Sequence, residues 1–84
     1  MENIILTFTS VSNTMMTEDA LKERGYKIKT IPTPREISKS CGLSIVLDAS
    51  DLQDMIDLKD TVLPIGYIWQ YDKIDGEVKC KQLV

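Results

Sequence analysis

A long, proline-braced connection between two β-prone runs most constrains what this chain can fold into. Apolar runs at residues 26–31 and 43–47 flank residues 32–42, so this segment is expected to join two strands. Its eleven residues exceed the roughly two to five of a hairpin turn, and connections of unusual length tend to be functional or disordered. Pro32 and Pro34 fix φ and favour extended backbone at the residues before them, so we expect a stiff loop.

The part of the chain before this loop predicts a strand followed by a helix. Residues 3–8 are a short apolar run, typical of a central strand that is buried on both faces. Ser12 or Asn13 is expected to open a helix that runs to about Arg24, and Gly25 is expected to end it. The inner face of this helix is expected to comprise Met15, Met16, Ala20 and Leu21.

Two further strands and a second helix follow. Residues 26–31 alternate, which predicts a strand with Tyr26 and Ile28 facing inward. The strand at residues 43–47 has its expected inner face at Leu43, Ile45 and Leu47. Ser50 begins a capping-box pattern, so a helix is expected from there to about residue 60. Its expected buried stripe comprises Leu52, Met55 and Ile56.

The C-terminal part predicts a hairpin. Residues 65–71 are typical of a strand, with Ile65, Tyr67, Trp69 and Tyr71 on one face. Asp75-Gly76 is typical of a two-residue turn to a last strand. The register that follows pairs Asp72 with Lys79 and Tyr71 with Cys80.

This order of elements is typical of an α+β fold. We expect a ferredoxin-like βαββαβ sandwich, with two helices on one antiparallel sheet and an added C-terminal β-strand. Because crossovers are right-handed, the first two strands are expected to be parallel, with the third between them. At 84 residues the chain is expected to be a single domain, 1–84, with a core at 3–71 and a C-terminal hairpin strand at 72–84.

The cysteine and histidine content excludes several kinds of catalysis. The chain has two cysteines and no histidine, so it cannot supply a Ser–His or Cys–His pair. Cys41 and Cys80 are 39 positions apart, which does not fit a zinc site. No metal or other cofactor is expected.

Charge is unevenly spread around a net value of −3. Residues 22–41 carry six basic and two acidic side chains, and residues 42–77 carry two basic and eight acidic ones. The basic segment predicts either ordinary solvated faces or an electropositive zone that attracts an anion or an acidic partner. Nucleic acid is not an expected partner of this acidic chain. No apolar run approaches the ~20 residues of a membrane span and no signal peptide is apparent, so we expect a cytoplasmic protein.

Cys41 is the thiol of the loop, close in sequence to Arg35 and Lys39 and followed by Gly42. A free cysteine titrates near about 8.5, so a thiolate at neutral pH needs cations or a helix N-terminus beside it. We expect Arg35, Lys39 and the N-terminus of the first helix to act together, if the loop folds over that end of the sheet. The alternative is a small buried cysteine at a strand start, with prolines that only shape a turn.

Residues 31–45, IPTPREISKSCGLSI, resemble the signature of the selenium/sulfur carrier-like family, whose small domains are otherwise of unknown function. The family pattern is a hydrophobic residue, Pro-Thr-Pro-Arg, a few small polar residues, then Ser-Cys-Gly and a strand. The resemblance extends over roughly residues 3–71, and the tail that contains Cys80 departs from it. It implies that Cys41 is the acceptor. The predicted binding residues around it are Pro32, Pro34, Arg35, Ser38, Lys39, Ser40 and Gly42.

Two functions are predicted. In the first, Cys41 holds a persulfide or selenosulfide and relays it from a donor enzyme, such as a cysteine desulfurase, to an acceptor protein. Because no residue offers a general base, we expect the chain to be a carrier more than an enzyme. In the second, the loop of a non-catalytic binding module holds a small anion or an acidic partner. A resolving role for Cys80 and a homodimer through an edge strand or a sheet face remain open.

Overall fold

The computed structural model describes residues 3–35, 37 and 42–84. The elements in chain order are β1 (Asn3–Thr7), α1 (Val11–Glu23), β2 (Lys29–Pro32), β3 (Leu43–Asp48), a 3₁₀ turn (Ala49–Asp51), α2 (Leu52–Thr61), β4 (Tyr67–Ile74) and β5 (Glu77–Gln82). Every predicted strand and helix is present. Within the described ranges, neither α1 nor α2 is long and apolar enough to cross a membrane.

The strands form one antiparallel sheet in the order β2-β3-β1-β4-β5. β3 lies between β1 and β2, as the sequence predicts. Both helices cover the same face, because Leu21 of α1 and Met55 of α2 belong to one buried cluster with side chains of β1, β3 and β4. The predicted arrangement of two helices on one antiparallel sheet is therefore confirmed. The opposite side of the sheet is called the helix-free face below.

β1 is the central strand and is buried on both faces, as predicted. Ile4 and Leu6 point into the helix-side cluster. Ile5 and Thr7 alternate with them and therefore point to the helix-free face. All four side chains have no exposed surface. A side chain that is completely buried on the helix-free face requires cover from something other than a helix.

α1 begins earlier than predicted, because its N-cap is Ser10 and not Ser12 or Asn13. The Ser10 hydroxyl oxygen accepts a hydrogen bond from the Asn13 N–H at 3.1 Å. The predicted end is confirmed: Gly25 has a φ of 85°, and the Tyr26 N–H donates to the Leu21 carbonyl at 3.1 Å. This pattern is a Schellman cap, which favours glycine in the left-handed position.

The prediction that Met15 and Met16 face inward is wrong, since their exposed fractions are 59% and 58%. The buried face comprises Thr14, Thr17 and Leu21, with Ala20 half-buried. These positions recur at helical spacing on a side of the helix that Met15 and Met16 do not share. Apolarity alone predicted the face wrongly because two threonines occupy it. Thr14 satisfies its own hydroxyl by donating to the Ser10 carbonyl at 3.1 Å.

α2 has a different N-terminal cap from the one predicted. Asp48, at the end of β3, accepts a hydrogen bond from the Ser50 N–H at 2.9 Å, and one 3₁₀ turn then leads into α2. Ser50 lies within this turn, and the N-cap residue of α2 itself is Asp51, whose side chain accepts no capping hydrogen bond. The Ser50 N–H bond to Asp48 caps the 3₁₀ turn instead. This backbone hydrogen bond holds the pKa of Asp48 below its usual value. The predicted stripe is confirmed, with Met55 buried and Leu52 and Ile56 packed against the core.

β2 is shorter and begins later than the predicted 26–31. It is an edge strand that pairs only with β3, and Pro32 ends it, a position where a missing N–H is tolerated. Tyr26 and Ile28 precede the strand but pack against the helix-side core, as predicted. The connection to β3 therefore comprises residues 33–42, since Pro32 belongs to the strand.

β4 begins at Tyr67 and not at residue 65. The Gly66 N–H donates to the Thr7 carbonyl at 2.9 Å, and a Cβ at Gly66 would lie 2.8 Å from that oxygen. Ile65 instead joins the helix-side core, so grouping it with Tyr67, Trp69 and Tyr71 was wrong. The turn and register of the hairpin are confirmed: Asp75 and Gly76 have φ values of 51° and 81°, Asp72 pairs with Lys79 and Tyr71 pairs with Cys80.

The revised cap of α1 predicts opposite outcomes for two nearby serines. Ser10→Ala should lower the free energy of unfolding by about 1 kcal/mol, because the Asn13 N–H loses its acceptor. Ser12→Ala should be neutral within about 0.5 kcal/mol, since this side chain is exposed within the first turn. Urea unfolding of both variants measures the difference. A larger loss for Ser12→Ala would contradict the cap.

Two side-chain hydrogen bonds hold β2 and the segment before it to the helices. The Tyr26 hydroxyl donates to Asp54 Oδ2 at 2.9 Å, and the Thr30 hydroxyl donates to the Glu18 carboxylate. The bond to Asp54 raises the pKa of Tyr26, because the phenol must stay protonated to donate. The bond from Thr30 lowers the pKa of Glu18, because it favours the charged carboxylate.

The raised pKa of Tyr26 predicts a pH dependence of stability. The contribution of its hydrogen bond is complete below about pH 10, the pKa in the unfolded chain, and is lost as pH rises through the higher folded value. The protein should therefore lose stability above about pH 10 more steeply than Tyr26→Phe does. Urea unfolding across alkaline pH checks this. Tyr67→Phe is the control and should keep the wild-type slope, because no carboxylate among the described residues accepts from Tyr67.

Candidate functional site

The structure describes part of the predicted site. Pro32, Pro34, Arg35 and Gly42 are described. Ser38, Lys39, Ser40 and Cys41 lie outside the described residues, so their roles stay predictions. The described part of the site comprises the two ends of the loop and the surface that they contact.

Hydrogen bonds close the base of the loop. The Thr33 N–H donates to the Gly42 carbonyl at 2.9 Å, and the hydroxyls of Thr33 and Ser44 are hydrogen-bonded at 2.7 Å. The Ile37 N–H donates to the Pro34 carbonyl at 3.0 Å, which forms a turn just after the second proline. Gly42 has a φ of 95°, a left-handed conformation that favours glycine. The loop is thus anchored at both ends.

The anchored loop turns toward the helix-free face. Ser44 pairs with Thr7 in the β1–β3 register, so its buried hydroxyl lies on the same face as Thr7. Ile37 is only 4% exposed, yet it does not belong to the helix-side cluster. The loop begins at the end of the sheet where β1 leads into α1, as predicted. Its described residues nevertheless lie on the side opposite α1, so the expected joint action of Arg35 with the N-terminus of α1 is not supported.

Two adjoining depressions cross the helix-free face, and together they are called the sheet groove. One, of about 460 Å³, lies beside β2 and is lined by Lys27, Lys29, Val46 and Asp48 among others. The other, of about 680 Å³, lies between Pro32, Pro34 and Arg35 on one side and Gly76, Glu77 and Val78 on the other. Ile31 and Tyr71 line both depressions. The two depressions therefore adjoin at these two side chains.

Aromatic side chains of β4 cover the centre of the helix-free face. The Trp69 indole Nε1–H donates to Thr7 Oγ1 at 3.0 Å, and the rings of Tyr67 and Trp69 meet edge to face with centroids 6.4 Å apart. Tyr71 follows on the same face and pairs with Cys80 of β5, which is half-buried. Of these three aromatic side chains, Tyr71 lines the sheet groove.

Three cations line the sheet groove: Lys27, Lys29 and Arg35. Among the described residues the one ion pair joins Lys22 to Glu18 at 3.2 Å, so none of the three is ion-paired there. The acidic lining residues are Asp48, which accepts from the Ser50 N–H, and Glu77. The described lining residues of the groove therefore carry three positive and two negative charges, a net value of +1 that favours an incoming anion.

The chemistry that the described residues of this site offer is anion recognition. An exposed guanidinium forms charge-assisted hydrogen bonds with a carboxylate or with a sulfur anion. No group of three or more Cys, Asp or Glu side chains that would suit a metal ion lies within residues 3–35, 37 and 42–84.

Sequence reasoning missed several residues of the site. Ile31, Tyr71 and Val78 line the groove, and Ile37 is a buried residue of the loop. None of the four was predicted as a site residue. The alternation of β4 placed Tyr71 and Cys80 on one face and was a partial signal. Nothing local in the sequence links this face to the loop, because the contact joins residues more than 35 positions apart.

The Thr33–Ser44 hydrogen bond predicts a non-additive pair of substitutions. Thr33→Val should cost about 1–3 kcal/mol, because the buried Ser44 hydroxyl loses a partner. The double variant Thr33→Val/Ser44→Ala should be less destabilised than the sum of the two single variants by about 1 kcal/mol. A double-mutant cycle in urea measures this coupling, and strict additivity would contradict the anchor.

Comparison with known proteins places the chain in a family. No curated protein and no solved structure matches the chain. Residues 3–69 match the family described as "Putative Se/S carrier protein-like", a span that runs from the start of β1 into β4 and contains the whole loop. Because this match covers well over half of its length, the chain belongs to the family of Se/S carrier protein-like domains.

Proposed function

We propose that this protein carries sulfur or selenium on Cys41 and relays it from a donor enzyme to an acceptor protein. Membership of the Se/S carrier-like family supports the choice of cargo. The structural observation that carries the proposal is the closed base of the loop, where the Gly42 carbonyl accepts from the Thr33 N–H. Gly42, the residue that follows Cys41 in the sequence, is thus hydrogen-bonded to the residue that follows β2.

The transfer is an exchange between two sulfur atoms. The Cys41 thiolate attacks the outer sulfur of a persulfide on the donor, the donor's sulfur–sulfur bond breaks, and the donor cysteine leaves as a thiolate. Cys41 then bears the persulfide. A thiolate of the acceptor attacks the outer sulfur of this persulfide in the same way, and Cys41 leaves as a thiolate. With selenium, the transferred atom is selenium and Cys41 bears a selenosulfide. No external oxidant or reductant is needed, because one bond of the same type forms as another breaks.

The proposed thiolate needs cationic support at neutral pH. Lowering a cysteine pKa by about two units corresponds to about 2.7 kcal/mol of differential stabilisation. A guanidinium within ~4–6 Å shifts the pKa of an acidic group by about one to three units. We therefore assign this role to Arg35 and Lys39, with Ser38, Ser40 and Gly42 as neighbours that contact the cargo. Such a thiol must be reduced, which fits a cytoplasmic location.

The proposed fold of this carrier is ferredoxin-like. The strand order and the antiparallel pairings agree with that arrangement. We infer that both β–α–β crossovers are right-handed, as nearly all such connections are. β5 then extends the sheet beyond β4, next to the proposed carrier domain.

The second candidate is a binding module in which Cys41 only packs. The three groove cations without an ion pair among the described residues favour it, because an anion or an acidic partner gives them a counter-charge. Cys41→Ser separates the two candidates: transfer requires the thiol, whereas binding by the groove does not.

The carrier proposal predicts a sulfur adduct at a single cysteine. After incubation with a cysteine desulfurase and cysteine, the intact mass should rise by one sulfur atom. Cys41→Ser should abolish this adduct, and the matched variant Cys80→Ser should retain it. The alkylation rate of Cys41 against pH should have its midpoint well below about 8.5. A midpoint at or above that value, or an adduct that persists in Cys41→Ser, would refute the proposal.

The same samples decide the open role of Cys80. Mild oxidation followed by mass spectrometry should give a 41–80 crosslink if Cys80 resolves the Cys41 persulfide. In that step the Cys80 thiolate attacks the inner sulfur, a disulfide forms and hydrosulfide leaves. The absence of this crosslink would remove the resolving role and leave the carrier proposal intact.

A further inference from the structure

We propose that the sheet groove docks an extended, acidic segment of the partner protein that exchanges sulfur or selenium with the loop. This inference rests on the proposed carrier function and names the chemistry by which the partner is recognised. The recognition surface is the helix-free face, bounded by Pro34 and Arg35 of the loop and by Glu77 and Val78 of the hairpin.

The size and shape of the groove favour a polypeptide segment. Its two depressions, of about 460 and 680 Å³, share Ile31 and Tyr71 as lining residues and are open to solvent. A bound sulfur or selenium atom alone needs far less space. A pocket for a small molecule typically encloses most of its ligand, which an open groove does not do. An extended chain, in contrast, needs one long contact surface.

The charge of the groove selects an acidic segment. Lys29 and Arg35 stand at its two depressions, and Lys27 adds a third positive charge. None of the three has an ion pair within the described ranges. A segment with glutamate or aspartate at alternate positions would place carboxylates near these cations, and its other side chains would meet Ile31, Tyr71 and Val78. Acidic peptides are therefore favoured over basic or neutral ones.

The segment is expected on the face of the sheet and not as an added strand at the nearby edge. β2 forms that edge, but it is only four residues long and ends in Pro32, which has no N–H to donate. The face offers instead the side chain of Tyr71 and, opposite the hairpin, Pro32 and Pro34, whose φ angles are fixed by their rings. Little conformational entropy is lost when a partner settles on such a preorganised surface.

Fluorescence anisotropy of a short, blocked peptide of alternating glutamate and leucine, labelled with a neutral fluorophore, tests the groove directly. The wild-type protein should bind this peptide, and a copy with glutamine for every glutamate should bind at least about tenfold more weakly. Raising the salt concentration from about 0.1 M to about 1 M should weaken binding severalfold, because the Debye length falls from about 10 Å to about 3 Å. No binding, or equal binding of both peptides, overturns the proposal.

Matched lysine and arginine variants locate the site. Arg35→Gln and Lys29→Gln should each weaken binding by about threefold to tenfold. Lys59→Gln removes a lysine of α2, on the opposite side of the sheet, and should change binding by less than about twofold. Urea unfolding confirms that each variant is folded. An equal loss for Lys59→Gln would show non-specific attraction and overturn the assignment to the groove.

Competition during sulfur loading separates this inference from the carrier function. Excess acidic peptide should slow loading of the wild-type protein by a desulfurase severalfold, and should leave loading by inorganic polysulfide unchanged, because polysulfide needs no docking surface. If excess peptide does not slow loading by the desulfurase, the docking inference is overturned and the carrier function still stands. Peptide binding without loading from either donor refutes the carrier function and leaves the groove as the site of a binding module.

Discussion

The burial of β1 on both faces is the constraint on which the rest of the structure depends. Ile4 and Leu6 are covered by the helices, as in any two-layer α+β fold. Ile5 and Thr7 are equally buried but face away from the helices, so a second cover is required. Burying one isoleucine side chain stabilises the fold by about 1.5–3 kcal/mol, so this cover matters for stability. Trp69 supplies part of it through its hydrogen bond to Thr7.

The described residues of the loop between β2 and β3 lie on the same face, and this links stability to the proposed function. Thr33 is tied to Ser44, and Ile37 is buried apart from the helix-side core. A loop that only carried a thiol would not need a buried isoleucine. Because it packs, its ends are fixed, and Arg35 stands at a defined place beside the groove. Anchoring and presentation of charge are therefore two consequences of one packing arrangement.

Local patterns predicted the elements and the hairpin register well, because Gly25, Asp75 and Gly76 act through their own backbone conformations. Local patterns gave wrong predictions where tertiary contacts determine which side chains are buried. Apolarity placed Met15 and Met16 inside α1, but the sheet accepts Thr14 and Thr17. The loop was correctly expected to join two strands at the end of the sheet where β1 leads into α1. Its stiffness and the cationic zone around it stay predictions. The sequence could not predict that the described residues of the loop lie on the helix-free face. Ser44 and Ile37 are buried there by contacts that form only when the sheet is assembled.

Strand order alone overstates the distance between the loop and the C-terminal hairpin. β2 and β5 are opposite edges of the sheet, which argues for a wide separation. Within residues 3–35, 37 and 42–84, however, the β1–β4 ladder ends at the pair of Asn3 and Tyr71, so the hairpin beyond Tyr71 forms strand pairs there only within itself. Two-stranded ribbons twist more strongly than wider sheets, and this one brings Val78 to the same groove as Pro34. Gly76, Glu77 and Val78 lie beyond the family match and line the candidate site, so the proposed docking would give β5 a part in recognition that the family pattern alone would not suggest.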